Sequence, residues 1–232
     1  MWKLIELEWR KLEQKKVLGE VIVYWVILMF CPVFFLKVVF ANFTIVDFGQ
    51  SYSRAMPLML SIQMGFVLFG ASLINHVFIE EYKNKTMSLS YGYPISRQKL
   101  VTAKVLFIFL TVFLCTLVSF VLSGITTYVY DQIYDVIYGQ PTLADLVMYI
   151  ARMILHSVII SLISLIPLFL FGIWMRAVIP TVICAIVLMN VPTFAGIIQI
   201  TLRLDVVYVL LSLIGVLSVY VSVKMINLLG DI

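Results

Sequence analysis

The chain has 232 residues, of which 63% are hydrophobic and only 12% charged, with a mean hydropathy of +1.10. Soluble domains hold about half as many apolar as polar-plus-apolar positions and about a quarter charged ones, so this composition excludes a soluble globule and defines a polytopic membrane protein. The net charge of +4 is spread along the chain rather than clustered, which gives no reason to expect nucleic acid as a partner. Cys31, Cys115 and Cys184 all fall within apolar stretches and lack metal-ligand spacing, so they read as small packing residues.

Residues 1–18 come first. Trp2, Ile5, Trp9 and Leu12 recur at helical spacing and form one apolar stripe, while Lys3, Glu6, Arg10, Glu13 and Lys15 occupy the remainder. Such a helix lies in the headgroup plane with its indole rings at the interface, or docks on a soluble partner. Gly19 is expected to provide a sharp bend into the first span.

Apolar windows then run over 21–36, 55–79, 105–130, 153–175, 177–202 and 206–223. About 20 helical residues cross a hydrocarbon core, and open sheet cannot survive there. The expected architecture is an all-α integral membrane protein: an elbow helix over 1–18 and a six-helix transmembrane domain over 19–228, with a charged segment at 80–99 and an outer loop at 126–147. Gly172 and Pro180 are expected to bracket a tight turn around Arg176. Asn190, Pro192 and Gly196 suggest a kink or a re-entrant turn in the fifth span. In the second span, Ser61 and Gly65 form a small-residue pair beside Gln63, suited to close helix approach.

With six spans, both termini share a side with Lys3, Arg10, Lys11, Lys15, Lys16, Lys83, Lys85, Arg97, Lys99, Lys104, Arg176 and Lys224, leaving Lys37, Arg54, Arg152 and Arg203 opposite. Basic residues collect on the cytoplasmic face, so both termini and the 80–99 segment are expected there. His76 and His156 fall on opposite sides and cannot share a metal, no catalytic constellation is present, and no phosphate-binding loop motif occurs. Any energy for work across the membrane must therefore come from another polypeptide.

The 80–99 segment, EEYKNKTMSLSYGYPISRQK, is the one substantial charged island between long apolar spans. Ile79, Tyr82, Thr86 and Leu89 share a helical face, Gly92 and Pro94 break the helix, and Ser96 is placed to cap the next one. On the other side, residues 126–145 carry Asp131, Asp135 and Asp145 without a base, and Tyr130, Tyr134 and Tyr138 recur every four residues. An aromatic stripe beside an acidic one is either an interfacial anchor or a surface for a cationic amphipathic molecule.

Glu81-Tyr82-Lys83-Asn84-Lys85-Thr86, then Tyr93-Pro94-Ile95-Ser96-Arg97, then Lys104, resemble the loop between spans two and three of ABC-2 type permeases, with the lantibiotic-immunity and bacitracin-export branch most similar. The chain departs from that pattern at Ser90-Tyr91-Gly92, where the family commonly has a leucine-rich run. The resemblance implies a bacterial cell-membrane permease subunit of an ATP-driven exporter. A cytoplasmic ABC ATPase, in two copies and carrying ATP and magnesium, would receive Glu80, Glu81, Lys83, Asn84, Lys85, Thr86, Pro94 and Arg97. A second permease subunit, identical or homologous, would complete the pathway. The competing reading is a non-transporting scaffold or accessory subunit.

Overall fold

The computed structural model describes residues 2–12, 14–35, 59–84, 96–134, 142–197 and 204–225, and all regular structure among them is helical. Helix α1 is Trp2–Lys11 and α2 is Gln14–Phe34. Helix α3 runs Met59–Lys83, its last part passing through a π-helical stretch at Asn75–Ile79 and a final turn at Glu80–Lys83. Helix α4 is Arg97–Tyr134 and α5 is Leu143–Ile163. A π-helical segment at Leu168–Trp174 leads to α6, Val178–Ile197, and α7 is Leu204–Met225.

Five of these helices (α2, α3, α4, α5 and α7) are long and apolar enough to cross a membrane. The described apolar part of α6, Val178–Val191, is shorter than a full span. The boundaries differ from the hydropathy windows for local reasons. Helix α4 has 38 residues, about 57 Å at 1.5 Å each, so it extends well beyond a ~30 Å core. The expected outer loop at 126–147 is therefore helical at both ends, as far as Tyr134 and again from Leu143. Gly19 lies inside α2 rather than at a bend; the chain turns at Leu12, ahead of Gln14. In α6 the helix continues through Asn190 and Pro192 to Ile197, which overturns the expected re-entrant turn.

The fourth expected window, in contrast, is divided. Pro167 has no N–H, and the helical ladder is interrupted over Ser164–Ile166. Ser218 of α7 fills the gap: its hydroxyl oxygen lies 3.1 and 2.9 Å from the carbonyls of Leu165 and Ile166, and it accepts the Phe169 amide at 3.3 Å. Arg176, in the turn to α6, has φ of 52°, a left-handed conformation that costs a side-chain-bearing residue about 1 kcal/mol or more.

Helix α3 is the hub. Some 72% of its apolar window is buried, against 22–39% for the other four spans, so it is the helix the rest surround. Lipid supplies no hydrophobic drive between helices, so close packing and interhelical hydrogen bonds must hold them. Gln63 of α3 donates to Ser123 Oγ at 3.2 Å and accepts from Ser119 Oγ at 2.8 Å, tying α3 to α4. Trp25 Nε1 donates to the Cys115 carbonyl at 3.0 Å, and Thr126 Oγ1 to the Met29 carbonyl at 3.0 Å, tying α2 to α4. Gly70 allows α3 to meet Ser164, where an added Cβ would lie 2.4 Å from the serine Cβ. Gly215 allows α7 to touch the α5 backbone, where a Cβ would lie 2.1 Å from the Leu162 carbonyl oxygen. At Gly65, by comparison, an added Cβ would first meet a Leu28 side-chain atom at 3.1 Å, so within the expected small-residue pair this glycine serves contact with α2.

Candidate functional site at the charged end of the bundle

Four ionisable side chains from three helices converge at one end of the bundle. Lys104 enters from the first turns of α4 and is fully buried. Its ammonium lies 2.7 Å from Glu81 Oε2 on the last turn of α3 and 3.3 Å from Glu8 Oε2 on α1. Its aligned hydrogen bond goes to the Val77 carbonyl at 2.9 Å, in the π-helical stretch of α3, and the Phe78 ring centroid lies 5.5 Å away. Lys11 of α1 completes the set, 3.3 Å from Glu8 Oε1 and 3.7 Å from Glu81 Oε1. Two cations face two carboxylates, so the cluster is neutral. That balance is what makes its burial tolerable, because an isolated buried charge costs several kcal/mol.

The sequence places Lys104 on the helix after the charged segment, among the cytoplasmic bases, and counts Glu8 only among the acids of that side, with no pairing between them. The signals were present. Glu8 stands three residues after Ile5 and four before Leu12, on the same face as the apolar stripe. Lys104 sits among Leu100, Val101, Phe107 and Ile108, positions that are buried in the structure. Ile5, Trp9 and Leu12 pack against the protein core, and the Trp9 ring lies 6.2 Å from that of Phe107 on α4. The stripe of α1 is thus spent on the bundle rather than on lipid alone; the side chain of Trp2 lies outside the described residues.

The last turn of α3 is held from several directions. His76 sits between two carboxylates, its Nδ1 3.1 Å from Glu80 Oε2 and its Nε2 3.4 Å from Glu20 Oε1 on α2, each oxygen accepting where the facing ring nitrogen carries a proton. Ser72 donates to the second oxygen of Glu20 at 2.7 Å. The Arg176 guanidinium stacks over the Tyr82 ring at 4.2 Å, carrying the turn between the π-helical segment and α6 onto the same spot. Glu81 is therefore turned inward to Lys104, against the expectation that it faces a partner. Lys83 and Asn84 are the members of the expected set that stand exposed at the helix end. Arg97 is half-buried at the start of α4; Lys85, Thr86 and Pro94 lie outside the described residues.

At the opposite end, the Tyr130 and Tyr134 rings pack together tilted by 32°, with centroids 4.4 Å apart, and Tyr134 is exposed. Asp131 is buried, at 6% exposure, so it does not belong to an open acidic stripe. Asp145 is committed to helix capping: its carboxylate accepts from the Thr142 amide at 3.1 Å and the Thr142 hydroxyl at 2.7 Å, while its own amide donates to Thr142 Oγ1. Asp135 and Tyr138 lie outside the described residues. His156 pairs its Nδ1 with the Arg152 carbonyl at 3.0 Å and meets Tyr208 of α7 edge-on, far from His76 in the fold. No group of metal-ligating side chains is present among the described residues.

An all-α bundle of long apolar helices, with a charged helix end braced by a buried ion cluster, defines a multi-pass membrane protein. The chain belongs to the ABC-2 family of transporter proteins, whose family model matches residues 4–192. It is 33% identical over 123 residues to the uncharacterized protein YcbO of Bacillus subtilis (strain 168), a match covering 53% of this chain and 54% of that protein. The chain thus spans about half the length of the curated relative it matches. No solved structure matches it.

Proposed function

We propose that this chain is the transmembrane subunit of an ATP-driven exporter in a bacterial cell membrane. Its cargo is an amphipathic molecule, antimicrobial peptides among them, moved out of the membrane or the cell. The observation that carries the reading is the end of α3. Glu80, Glu81 and Tyr82 are braced from within by His76, Lys104 and Arg176, which leaves Lys83 and Asn84 outermost on a stiffened turn. A turn fixed in this way can transmit a displacement from a partner into three helices at once. The partner is a cytoplasmic ABC ATPase in two copies, which supplies ATP and magnesium, and a second permease subunit shares the pathway. The tilted Tyr130–Tyr134 pair at the other end gives the apolar part of a cargo a surface on which to lie.

Co-expression with the ABC ATPases of the same genome tests the reading. Lys83→Glu combined with Asn84→Asp should abolish co-purification and cargo-stimulated ATP hydrolysis while leaving the thermal midpoint of the permease unchanged. Full stimulation in that variant would place the contact elsewhere, and failure of every ATPase to co-purify with the native chain would favour the scaffold reading.

A further inference from the structure

A second titratable cluster stands at the same end of α3 as the buried ion cluster and takes no part in it. His76, in the π-helical stretch, is flanked by Glu20 of α2 and by Glu80 of its own helix, at 3.4 Å from Nε2 and 3.1 Å from Nδ1. The other oxygen of each carboxylate is held by a neutral donor of α3. Ser72 donates to Glu20 Oε2 at 2.7 Å, and Asn75 Nδ2 to Glu80 Oε1 at 3.4 Å. Each carboxylate is therefore fixed with one oxygen toward the ring, and among the described residues these two are the charged groups that bear on it. The cations nearby are committed elsewhere, Lys104 to Glu8, Glu81 and the Val77 carbonyl, and Arg176 to the Tyr82 ring. Tyr24 of α2, which the Glu20 charge reaches, is a phenol that keeps its proton through the neutral range.

This arrangement is one proton short when the imidazole is neutral. A neutral ring carries a proton on one nitrogen and a lone pair on the other, so one of the two contacts sets a lone pair against a carboxylate oxygen. One added proton, on the ring or shared with a carboxylate, turns both contacts into charge-assisted hydrogen bonds. The ring and both carboxylates are partly exposed at the end of the bundle, where protons can exchange. We propose that His76 is a proton-operated latch: uptake of one proton closes the Glu20–His76–Glu80 chain and ties α2 to the end of α3, and loss of that proton opens the tie. The closed form holds more protons than the unfolded chain, so its stabilisation is present at low pH and lost as pH rises through the imidazole titration. The latch stands on this geometry alone. Its consequence, that an ATPase docks less firmly on the Glu80–Lys83 turn as pH rises, rests on the function proposed above.

The test follows the unfolding midpoint of the purified full chain in neutral detergent from about pH 6 to about pH 8.5, for the native protein and for His76→Gln, Glu20→Gln and His156→Gln. The native midpoint should fall by roughly 2–4 °C relative to that of His76→Gln across this range. Glu20→Gln should show the opposite behaviour at the high end. Its introduced amide accepts from Ser72 and donates to the unprotonated ring nitrogen, so the tie persists and the variant is more stable than the native chain there. His156→Gln, which removes the other of the chain's two histidines, should keep the native slope. Parallel curves for the native protein and His76→Gln, or a slope that disappears with His156→Gln instead, would overturn the latch. If His76→Gln does not fold, Glu20→Gln decides: no gain over the native chain at high pH would overturn the latch as well. Co-purification of an ABC ATPase should weaken with rising pH for the native chain and hold for Glu20→Gln. Co-purification independent of pH, with the unfolding curves as expected, would support the latch and overturn its link to docking.

Discussion

Lys104, on the third span helix in chain order, is in ion-pair contact with Glu8 of the amino-terminal helix, although 96 residues separate them and neither stands in a loop. With Glu81 only 2.7 Å from the same ammonium, one lysine joins the elbow, the hub helix and the long helix α4. The elbow is thereby part of the bundle, tied to α4 through Lys104 and to the end of α3 through Lys11 and Glu81.

Removing one member of this cluster strands the rest. Lys104→Met leaves Glu8 and Glu81 buried with one cation, Lys11, which is half-exposed, so it should lower stability by about 3–5 kcal/mol. The combination Lys104→Met/Glu81→Gln should be less damaging than the sum of its parts. A double-mutant cycle on thermal or denaturant unfolding in detergent measures the difference, and additivity would mean that the two groups do not interact.

The two close glycines should tolerate no side chain. Gly215→Ala drives a methyl group into the Leu162 carbonyl oxygen, a backbone atom that cannot move aside, and Gly70→Ala meets Ser164. Each should cost about 3 kcal/mol by overpacking. Gly19→Ala is the contrast: nothing lies within 4 Å of the added carbon, and a helix-interior glycine is replaced, so stability should rise by about 0.5–1 kcal/mol. Unfolding midpoints of the three variants decide the matter.

At the start of α5 the reciprocal pair Thr142–Asp145 caps the helix. Thr142→Ala should cost about 1 kcal/mol, read as a lowered unfolding midpoint. Asp145→Asn loses the charge that faces the helix start while keeping a side-chain acceptor, and should cost less. If the proposed cargo surface includes Asp145, the second variant should also weaken protection against cationic peptides; unchanged protection would confine Asp145 to capping.

Topology is accessible to thiol chemistry. With Cys31, Cys115 and Cys184 replaced by Ala, single cysteines at Gln14 and Asn84 should be shielded from a membrane-impermeant reagent in intact cells. Cysteines at Ser51 and Gln140 should react. Labelling at Asn84 from outside would reverse the orientation and remove the docking argument.

Composition and apolar periodicity by themselves determined that the chain is helical, membrane-bound and marked by one charged island, because lipid admits few alternatives for a backbone that must satisfy its own hydrogen bonds. The island and its permease resemblance were legible for the same reason: charge next to an apolar span is conspicuous. Which charges face outward was not legible. Glu81 and Lys83 differ by two residues in sequence, and only the placement of Lys104 beneath α3 turns one inward and leaves the other exposed. Similarly, Asp145 became a cap and Asp131 a buried group through neighbours that no spacing rule names. The helix at α6 continued past Asn190 and Pro192 because local breaking signals compete with the ladder around them. Helix patterning is a property of adjacent residues, whereas the pairing of a buried charge depends on partners supplied by distant segments, and these meet only once the bundle has assembled.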